Sequence, residues 1–337
     1  MSRREKREAD SLADRTNRVA VIYHSERIDR QQLTAAVEGA MRDSAKNQNW
    51  DAPLWLPTNA NETGGPQAVR AIAQGATHVV VAGGDGTIRS VAEALVASQA
   101  ADFSLGILPI GTGNVLARNL KLDLNNLQRS VQRAINGREY AIDVGRARLL
   151  FANGDVDERF FTGMAGVGLD AKIMMATDLE LKRKIGWIAY IDGGLKTLPV
   201  RFERIQVSVD GREPRRLKLH SLLVGNAGWL PGNITLMPDA RLDDGQLDVA
   251  AVGPRRFWNW IDFWSRVTWQ NRVVRPLSFG RRWMDMTANL KTLENLNGAH
   301  IEVESERPID IQLDGDPLGQ IIRVEFDVIA RALSVRV

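Results

Sequence analysis

The chain has 337 residues, no cysteine and a formal net charge of +3. Its length is sufficient for two domains, and the absence of cysteine excludes disulfides and thiolate metal sites. The small net charge gives no reason to expect nucleic acid as a partner, and no apolar run approaches the roughly 20 residues of a membrane-spanning helix. Since no secretory signal is visible either, we expect a cytoplasmic protein.

The first part of the chain alternates predicted strands and helices. Short apolar runs rich in β-branched residues predict buried strands at 18–23, 53–57, 78–82 and 105–109. Helices are predicted between them at 29–47, 63–73 and 88–97. This alternation is typical of a parallel sheet covered on both faces. We therefore predict a charged tail over residues 1–17 and an α/β domain over residues 18–142.

Short β segments dominate the second part of the chain. Turn pairs such as Asp210-Gly211 separate or end these segments. The predicted strands lie at 159–164, 204–210, 218–225, 246–252, 300–305, 309–313 and 321–328. Helices are predicted near 170–198 and 255–275. We predict a mostly antiparallel β domain over residues 143–337, with a last strand that could return to the first domain.

Two glycine-rich loops follow consecutive predicted strands. A glycine-rich turn that leaves a parallel strand and opens a helix presents backbone N–H groups to an anion, and phosphate is the typical ligand of such a turn. The first loop consists of Gly83, Gly84, Asp85, Gly86 and Thr87, and the second of Gly111, Thr112, Gly113 and Asn114. Because the carboxyl ends of neighbouring strands meet at one edge, we expect both loops to line one crevice.

Other readings of these loops are weaker. Glycines that only make tight turns would explain one loop, but two at consecutive strand ends favour phosphate binding. No Walker lysine follows either loop, which disfavours a P-loop ATPase. No complete Gly-x-Gly-x-x-Gly follows the first strand, which disfavours a dinucleotide dehydrogenase.

A series of motifs resembles the diacylglycerol kinase catalytic-domain family, especially its bacterial diacylglycerol- and sphingosine-type lipid kinases. The motifs occur in family order at 81–92, 108–119, 143–145, 166–171, 224–226, 237–248 and 313–317. The resemblance implies an α/β nucleotide-binding domain of the NAD kinase/diacylglycerol kinase type, followed by a β-sandwich. It also implies that the protein uses ATP to phosphorylate a hydroxyl of diacylglycerol, sphingosine, ceramide or a related lipid.

The resemblance further implies roles for individual residues. Nucleotide contacts fall on Thr58, on Gly84, Asp85, Gly86 and Thr87, and near Thr112, Gly113 and Asn114. The general base falls on Asp314 or Asp316, a substrate contact on Asp170, and a Mg²⁺ ligand on Asp244. Phosphoryl transfer needs Mg²⁺ and carboxylates. The carboxylates could come from Asp85, Asp314 and Asp316.

Each acidic residue also has a plainer reading. Asp314 and Asp244 could belong to turns between strands, and Asp170 could cap the helix that follows it.

The chain departs from the family at the end of its first strand. The family usually has Asn-Pro there, whereas this chain has Tyr23-His24-Ser25. His24 could contact phosphate or be structural. Asp316 stands where glutamate is commoner, which sets the carboxylate back by one methylene.

A basic and aromatic segment lies between Arg255 and Lys291. It contains eight Arg or Lys residues and five Trp, opposed only by Asp262 and Asp285. Such a segment is typical of a helix that docks on an anionic membrane surface. A helix packed on its own domain is the equal alternative, and base stacking is a third reading without a supporting nucleic-acid motif.

Three functional hypotheses follow from the sequence. The favoured one is a lipid kinase that acts peripherally on a membrane, with ATP and Mg²⁺. The alternatives are a soluble-substrate kinase of the NAD kinase type, because that family shares a related Gly-Gly-Asp-Gly loop, and a non-catalytic nucleotide- or lipid-binding regulator. The acceptor lipid, the preferred divalent ion and the oligomeric state remain open, with a homodimer as one option.

Overall fold

The structure, a computed structural model, describes residues 17–44, 49–59, 62–98, 103–168, 202–230, 234–252 and 296–337. The chain divides into two compact units, one formed by Met1–Ile142 with Arg331–Val337 and the other by Asp143–Ala330. Residues 1–16 of the predicted tail, the predicted helices near 170–198 and 255–275, and Asp170 lie outside the described residues. No helix in the described ranges is long and apolar enough to cross a bilayer.

The first unit contains a parallel sheet. Its strands are β1 (Val19–His24), β2 (Leu54–Thr58), β3 (His78–Gly83) and β4 (Ser104–Pro109), in the order β2-β1-β3-β4. The end of the last strand of the chain pairs in parallel with β4, with Ser334 opposite Ser104. Every residue of β3 and β4 is buried. Burial on both faces explains why these strands are apolar throughout rather than alternating.

Five helices occur among the described residues of this unit. They are α1 (Arg30–Ser44), α2 (Gly65–Ala73), α3 (Asp85–Ala97), α4 (Val115–Asn119) and α5 (Leu127–Asn136). Leu33 and Val37 of α1 and Val131 of α5 form one core cluster with Val21 and Val80 of the sheet. Helix α3 begins at Asp85, earlier than the predicted start at residue 88. The prediction was wrong there because Gly86 has low helix propensity, whereas a glycine in the first turn is tolerated.

The second unit is built from antiparallel strands. They are β5 (Glu139–Phe151), β6 (Val156–Phe161), β7 (Met164–Gly168), β8 (Glu203–Val209), β9 (Arg215–Leu219), β10 (Ser221–Gly225), β11 (Trp229–Leu230), β12 (Ile234–Thr235), β13 (Leu247–Val252), β14 (Asn297–Gly298), β15 (His300–Leu313) and β16 (Asp316–Arg336). The first residues of β5 and the last residues of β16 belong to the first unit. The main order is β14-β13-β10-β7-β15-β16, while β8 pairs with β15 and β9, and β5 pairs with β6. Phe161 and Phe326 meet edge to face in its core, with ring centroids 5.9 Å apart.

The structure confirms the fold class and corrects several strand boundaries in the second unit. The predicted strand at 159–164 contains the turn between β6 and β7, and the one at 218–225 contains the break between β9 and β10. The predicted strands at 300–305 and 309–313 form one strand, β15, with a register shift between Glu304 and Ile309. Bulges and tight turns of this kind leave no clear break in hydrophobic periodicity, so the sequence does not reveal them.

Candidate active site

The first glycine loop leaves β3 and opens α3. Gly84 caps this 13-residue helix with an extended backbone (φ −92°, ψ −178°), and the amide of Ile88 donates to its carbonyl at 3.0 Å. Within the described residues, the N–H groups of Gly86 and Thr87 have no hydrogen-bond acceptor. Residues 84–87 are half-buried. The loop therefore presents backbone donors at the positive end of a helix dipole, an arrangement that suits a phosphate group.

The two glycine loops touch each other. A Cβ on Gly111 would lie 2.6 Å from Cα of Gly84 and 2.9 Å from Oδ1 of Asn114. A Cβ on Gly83 would lie 2.7 Å from Cβ of Thr87. Real Cβ atoms essentially never approach heavy atoms so closely, so glycine is needed at both positions. The loops lie together as the strand order predicts.

Asp85 joins the first loop to the second. Its Oδ2 accepts a hydrogen bond from the amide of Asn114 at 2.8 Å, and its Oδ1 accepts from the amide of Val115 at 2.6 Å. These amides begin α4, so the Asp85 carboxylate already occupies them. The sequence predicted that Asp85 takes part in the chemistry, and the structure gives this carboxylate a positioning role that the sequence did not reveal.

The second loop is braced by its own side chains. Asn114 has a left-handed backbone (φ 50°), and its side chain accepts from the amide of Gly111 at 3.0 Å and donates to the carbonyl of Gly111 at 2.8 Å. Nε of Arg118 donates to the carbonyl of Gly113 at 2.8 Å. Nucleotide contacts at Thr112, Gly113 and Asn114 stay predictions.

Thr58 lies at the same sheet edge as the turn after β1, where this chain departs from the Asn-Pro of the family. Thr58 is buried at the end of β2, opposite His24 of β1, and its hydroxyl donates to the carbonyl of Tyr23 at 3.4 Å. Nδ1 of His24 accepts from the amide of Glu26 at 3.4 Å, which supports the structural reading of this histidine. A nucleotide contact at Thr58 stays a prediction.

Arg27 is a residue that the sequence reasoning missed. A Cβ built on Gly84 would lie 3.9 Å from Nη1 of Arg27. The guanidinium therefore lies beside the first glycine loop. Its position just after β1 could have indicated this, because the carboxyl end of β1 shares a sheet edge with the loop that follows β3.

Asp314 lies in the turn between β15 and β16, with a left-handed backbone (φ 49°). Its Oδ1 accepts from the amides of Gly163 at 2.8 Å and Met164 at 2.9 Å. Its Oδ2 accepts from the amide of Thr162 at 2.8 Å and from the Thr162 hydroxyl at 3.3 Å. Asp314 thus anchors the turn between β6 and β7. Asp316, the other predicted base, is half-buried and begins β16.

A buried chain of hydrogen bonds supports the turn between β6 and β7. The amide of Asn226 donates to the carbonyl of Gly163 at 2.9 Å, and Nδ2 of Asn226 donates to the carbonyl of Asp143 at 2.8 Å. The Asp143 carboxylate accepts in turn from the amide of Gly245 at 2.6 Å. Asp143 and Asn226 are fully buried. One scaffold in the second unit therefore joins residues from four motifs that are far apart in the sequence, namely Asp143, Asn226, Gly245 and Asp314.

Asp244 lies in an exposed turn of the second unit. Its Oδ1 accepts from the amide of Gln246 at 3.1 Å, as expected for a hairpin turn. Burial, followed by the negative charges of Asp244 and Asp239, raises the pKa of nearby Asp248 to about 6. No group of three His, Asp or Glu side chains that could hold a metal ion occurs among the described residues. The role of Asp244 as a Mg²⁺ ligand stays a prediction.

Two family descriptions and many curated relatives match the chain. The diacylglycerol kinase catalytic domain matches residues 19–147, and the YegS C-terminal NAD kinase beta sandwich-like domain matches residues 163–268. A protein of Pseudomonas syringae pv. tomato named "Probable lipid kinase YegS-like" is 30% identical over 308 residues, covering 90% of this chain and 88% of that protein. Its namesake from Pseudomonas putida is 29% identical over 321 residues, covering 94% and 93%.

Solved structures share the fold. A diacylglycerol kinase from Bacillus anthracis has a TM-score of 0.69 at 16% identity, covering 95% of this chain and 96% of that chain. Yeast NADH kinase, solved with NADH, has a TM-score of 0.52 at 10% identity, covering 96% and 83%. At these identities the likeness establishes architecture alone. It confirms the predicted α/β domain of the NAD kinase/diacylglycerol kinase type and the β-sandwich.

Proposed function

The chain belongs to the diacylglycerol kinase catalytic-domain family, among the YegS-like lipid kinases, and we propose that it uses ATP to phosphorylate a hydroxyl of diacylglycerol or a related lipid at a membrane surface. The observation that carries the proposal is the first glycine loop. Its Gly86 and Thr87 amides have no acceptor among the described residues and lie at the start of α3. A phosphate chain is the ligand that such a loop suits.

The residues present fit ATP. The amides of residues 84–87 would bind the terminal phosphates, and Asp85 would keep the second loop in position beside them through Asn114 and Val115. Gly84 and Gly111 lie too close together for a side chain on Gly111, so the backbone itself forms this surface. Mg²⁺ carried with ATP would spread the charge of the transferred group.

The surroundings of Asp314 bear on the choice between the two candidate bases. Both oxygens of Asp314 accept hydrogen bonds from the segment Thr162–Met164, four in all. This engagement suits an anchoring role for Asp314, and we assign the base to Asp316, which is half-buried at the start of β16. The lipid hydroxyl oxygen bonds to the γ-phosphorus of ATP as the bond from that phosphorus to the bridging oxygen breaks and ADP leaves. The hydroxyl proton passes to the Asp316 carboxylate.

Labelled-phosphate transfer from ATP tests the proposal. The acceptor panel in mixed micelles contains diacylglycerol, monoacylglycerol, sphingosine, ceramide and phosphatidylglycerol, with NAD as the soluble alternative. We expect label in one lipid, absent with Asp316→Asn. Label in NAD would establish the soluble-kinase alternative. No transfer, with no ATP binding, would support a non-catalytic regulator.

Asp314 and Asp316 can be compared through a matched pair of variants. Asp316→Asn should lower kcat about 10²–10⁴-fold, as expected for loss of a general base, with an unchanged melting temperature. Asp314→Asn should lower the melting temperature as well, because its amide nitrogen cannot accept hydrogen bonds from Thr162, Gly163 or Met164. Equal stability in both variants, with activity lost only in Asp314→Asn, would reverse the assignment.

The membrane-surface part of the proposal rests on the composition of residues 255–291. Vesicle co-sedimentation tests it. We expect binding to vesicles with anionic lipid and weaker binding to neutral ones, because the eight basic residues of this segment would meet anionic headgroups. Equal binding to both kinds of vesicle would remove the electrostatic contribution.

A further inference from the structure

The turn after β1 holds an arginine beside the first glycine loop. The amide of Arg27 donates to the carbonyl of His24 at 3.0 Å, which closes a tight turn between β1 and α1. From this turn the side chain extends to Gly84, where a Cβ would lie 3.9 Å from Nη1 of Arg27 and 3.5 Å from Cα of Gly111. The guanidinium therefore lies on the side of the loop toward which a side chain on Gly84 would point.

The other arginines near the two loops are engaged. Nε of Arg118 donates to the carbonyl of Gly113 at 2.8 Å, and Arg89 forms an ion pair with Glu93 at 3.3 Å. Arg27 is exposed and makes no ion pair with any described residue. The nearby Asp29 side chain instead accepts from the amide of Gln32 at 2.9 Å, at the start of α1. The charge of Arg27 is thus available to an anion bound at the loop.

The loops themselves supply no cation. Their donors are neutral amides and hydroxyls, Asp85 adds a negative charge, and no Walker lysine follows either loop. A triphosphate carries several negative charges, and guanidinium groups bind phosphate oxygens through charge-assisted, often paired hydrogen bonds. A cation delivered from a neighbouring strand end would supply what the glycine loops lack.

We propose that Arg27 binds the terminal phosphates of the nucleotide held by residues 84–87. The inference rests on the proposed function, because it requires a nucleotide at the first loop. It also gives a purpose to the replacement of Asn-Pro by Tyr23-His24-Ser25. His24 accepts from the amides of both Glu26 and Arg27, and this turn directs Arg27 toward Gly84.

Calorimetric titration with ATP, ADP and AMP tests this role in the full chain. Arg27→Ala should weaken ATP binding about tenfold, the effect of losing a charge-assisted hydrogen bond in a partly solvated site. The loss should be smaller for ADP and absent for AMP, because AMP keeps only the phosphate attached to its ribose and lacks the terminal ones. Arg27→Lys should recover part of the ATP affinity, because lysine keeps the charge but not the paired donors.

Arg30→Ala is the matched control. Arg30 is also exposed, and its guanidinium lies over the Trp55 ring, 5.6 Å from the ring centroid. Its loss removes the same charge three residues along the chain. We expect no change in the affinity for any of the three nucleotides. An equal loss with Arg30→Ala would show a general effect of surface charge and overturn the proposal.

Other outcomes separate this inference from the proposed function. Unchanged ATP affinity in Arg27→Ala overturns the role of Arg27, and if vesicle binding falls instead, its partner is a lipid headgroup. A phosphate-graded loss in Arg27→Ala, in a protein that phosphorylates no lipid, sustains the inference and overturns the lipid-kinase proposal. A wild-type protein that binds none of the three nucleotides overturns both.

Discussion

The two glycine loops of the first unit resemble each other in sequence but use their backbone amides differently. The first opens the 13-residue helix α3, and its Gly86 and Thr87 amides have no acceptor among the described residues. The second opens the five-residue helix α4, whose first amides are held by Asp85 of the first loop. The first loop therefore keeps backbone donors without an acceptor among the described residues, whereas the donors of the second loop are held by a carboxylate of the chain. The two loops therefore form a single structure.

The largest expected effect comes from removing the link between the loops. Asp85→Asn should lower phosphoryl transfer by at least about 100-fold, because an amide cannot accept from both Asn114 and Val115 as the carboxylate does. Steady-state kinetics with ATP and lipid measure it. If Asp85 acts through the second loop, KM for ATP should rise together with the fall in kcat, and the amides of Asn114 and Val115 should exchange hydrogen faster.

Two results would contradict the positioning role of Asp85. A lower kcat with unchanged KM and unchanged hydrogen exchange would place Asp85 in the chemistry itself. Near-normal turnover would remove Asp85 from the mechanism. Glu38→Gln is the control, since Glu38 is an exposed acid on α1 that lies 4.0 Å from Arg42 and contacts neither loop.

A smaller effect should follow from separating the loops by one methyl group. Gly111→Ala places a Cβ 2.6 Å from Cα of Gly84, a backbone atom that cannot move aside easily. We expect a loss of about 1–3 kcal/mol in the free energy of unfolding, as for other overpacked sites. Gly84→Ala is the matched variant, because its Cβ would lie at an ordinary 3.5 Å from Cα of Gly111.

Urea denaturation followed by circular dichroism measures the difference between these two variants. Gly84→Ala should lose less than about 1 kcal/mol, since its extended backbone is open to alanine. Equal losses in both variants would mean that the loops do not meet as closely as the structure describes.

The sequence predicts the first unit more closely than the second. Strands of a parallel sheet are buried on both faces, so β3 and β4 appear as continuous apolar runs. Strand β5 was missed because charged residues such as Arg146 and Arg148 interrupt its apolar pattern on the face that pairs with acids of other strands. Half-exposed strands of this kind have a weaker signal over short windows.

Local and distant contacts also differ in how far the sequence reveals them. The prediction that residues 83–87 bind phosphate rests on adjacent glycines, a preceding strand and a following helix. The anchoring role of Asp314 depends on amides about 150 residues away in the sequence, which only the folded strands bring together. Arg27 has a local signal in its position just after β1, but its approach to Gly84 also depends on β1 and β3 being neighbours in the sheet.

The smallest expected effect on nucleotide binding lies at the opposite end of β3. His78 begins this strand, is 6% exposed, and accepts at Nε2 from Arg336 at 2.8 Å. Burial, and then the charge of Arg336, lower the pKa of His78 to about 4. The folded protein therefore keeps His78 neutral, whereas the unfolded chain protonates it near the ordinary value of 6.5.

The sign of the pH dependence follows from these two pKa values. Above pH 6.5 the contribution of His78 to stability is fully present, and it is lost as the pH falls through 6.5 toward about 4. The loss should reach at most roughly 3 kcal/mol. Urea midpoints at pH 7.5 and 5 should therefore differ more in the wild type than in His78→Gln, while ATP affinity at pH 7.5 agrees between the two. Equal midpoint shifts would show that His78 is not held neutral. Weaker ATP binding in His78→Gln would mean that β3 transmits changes from one end to the other, so that the two loops could not be treated as a structure independent of the strand that carries them.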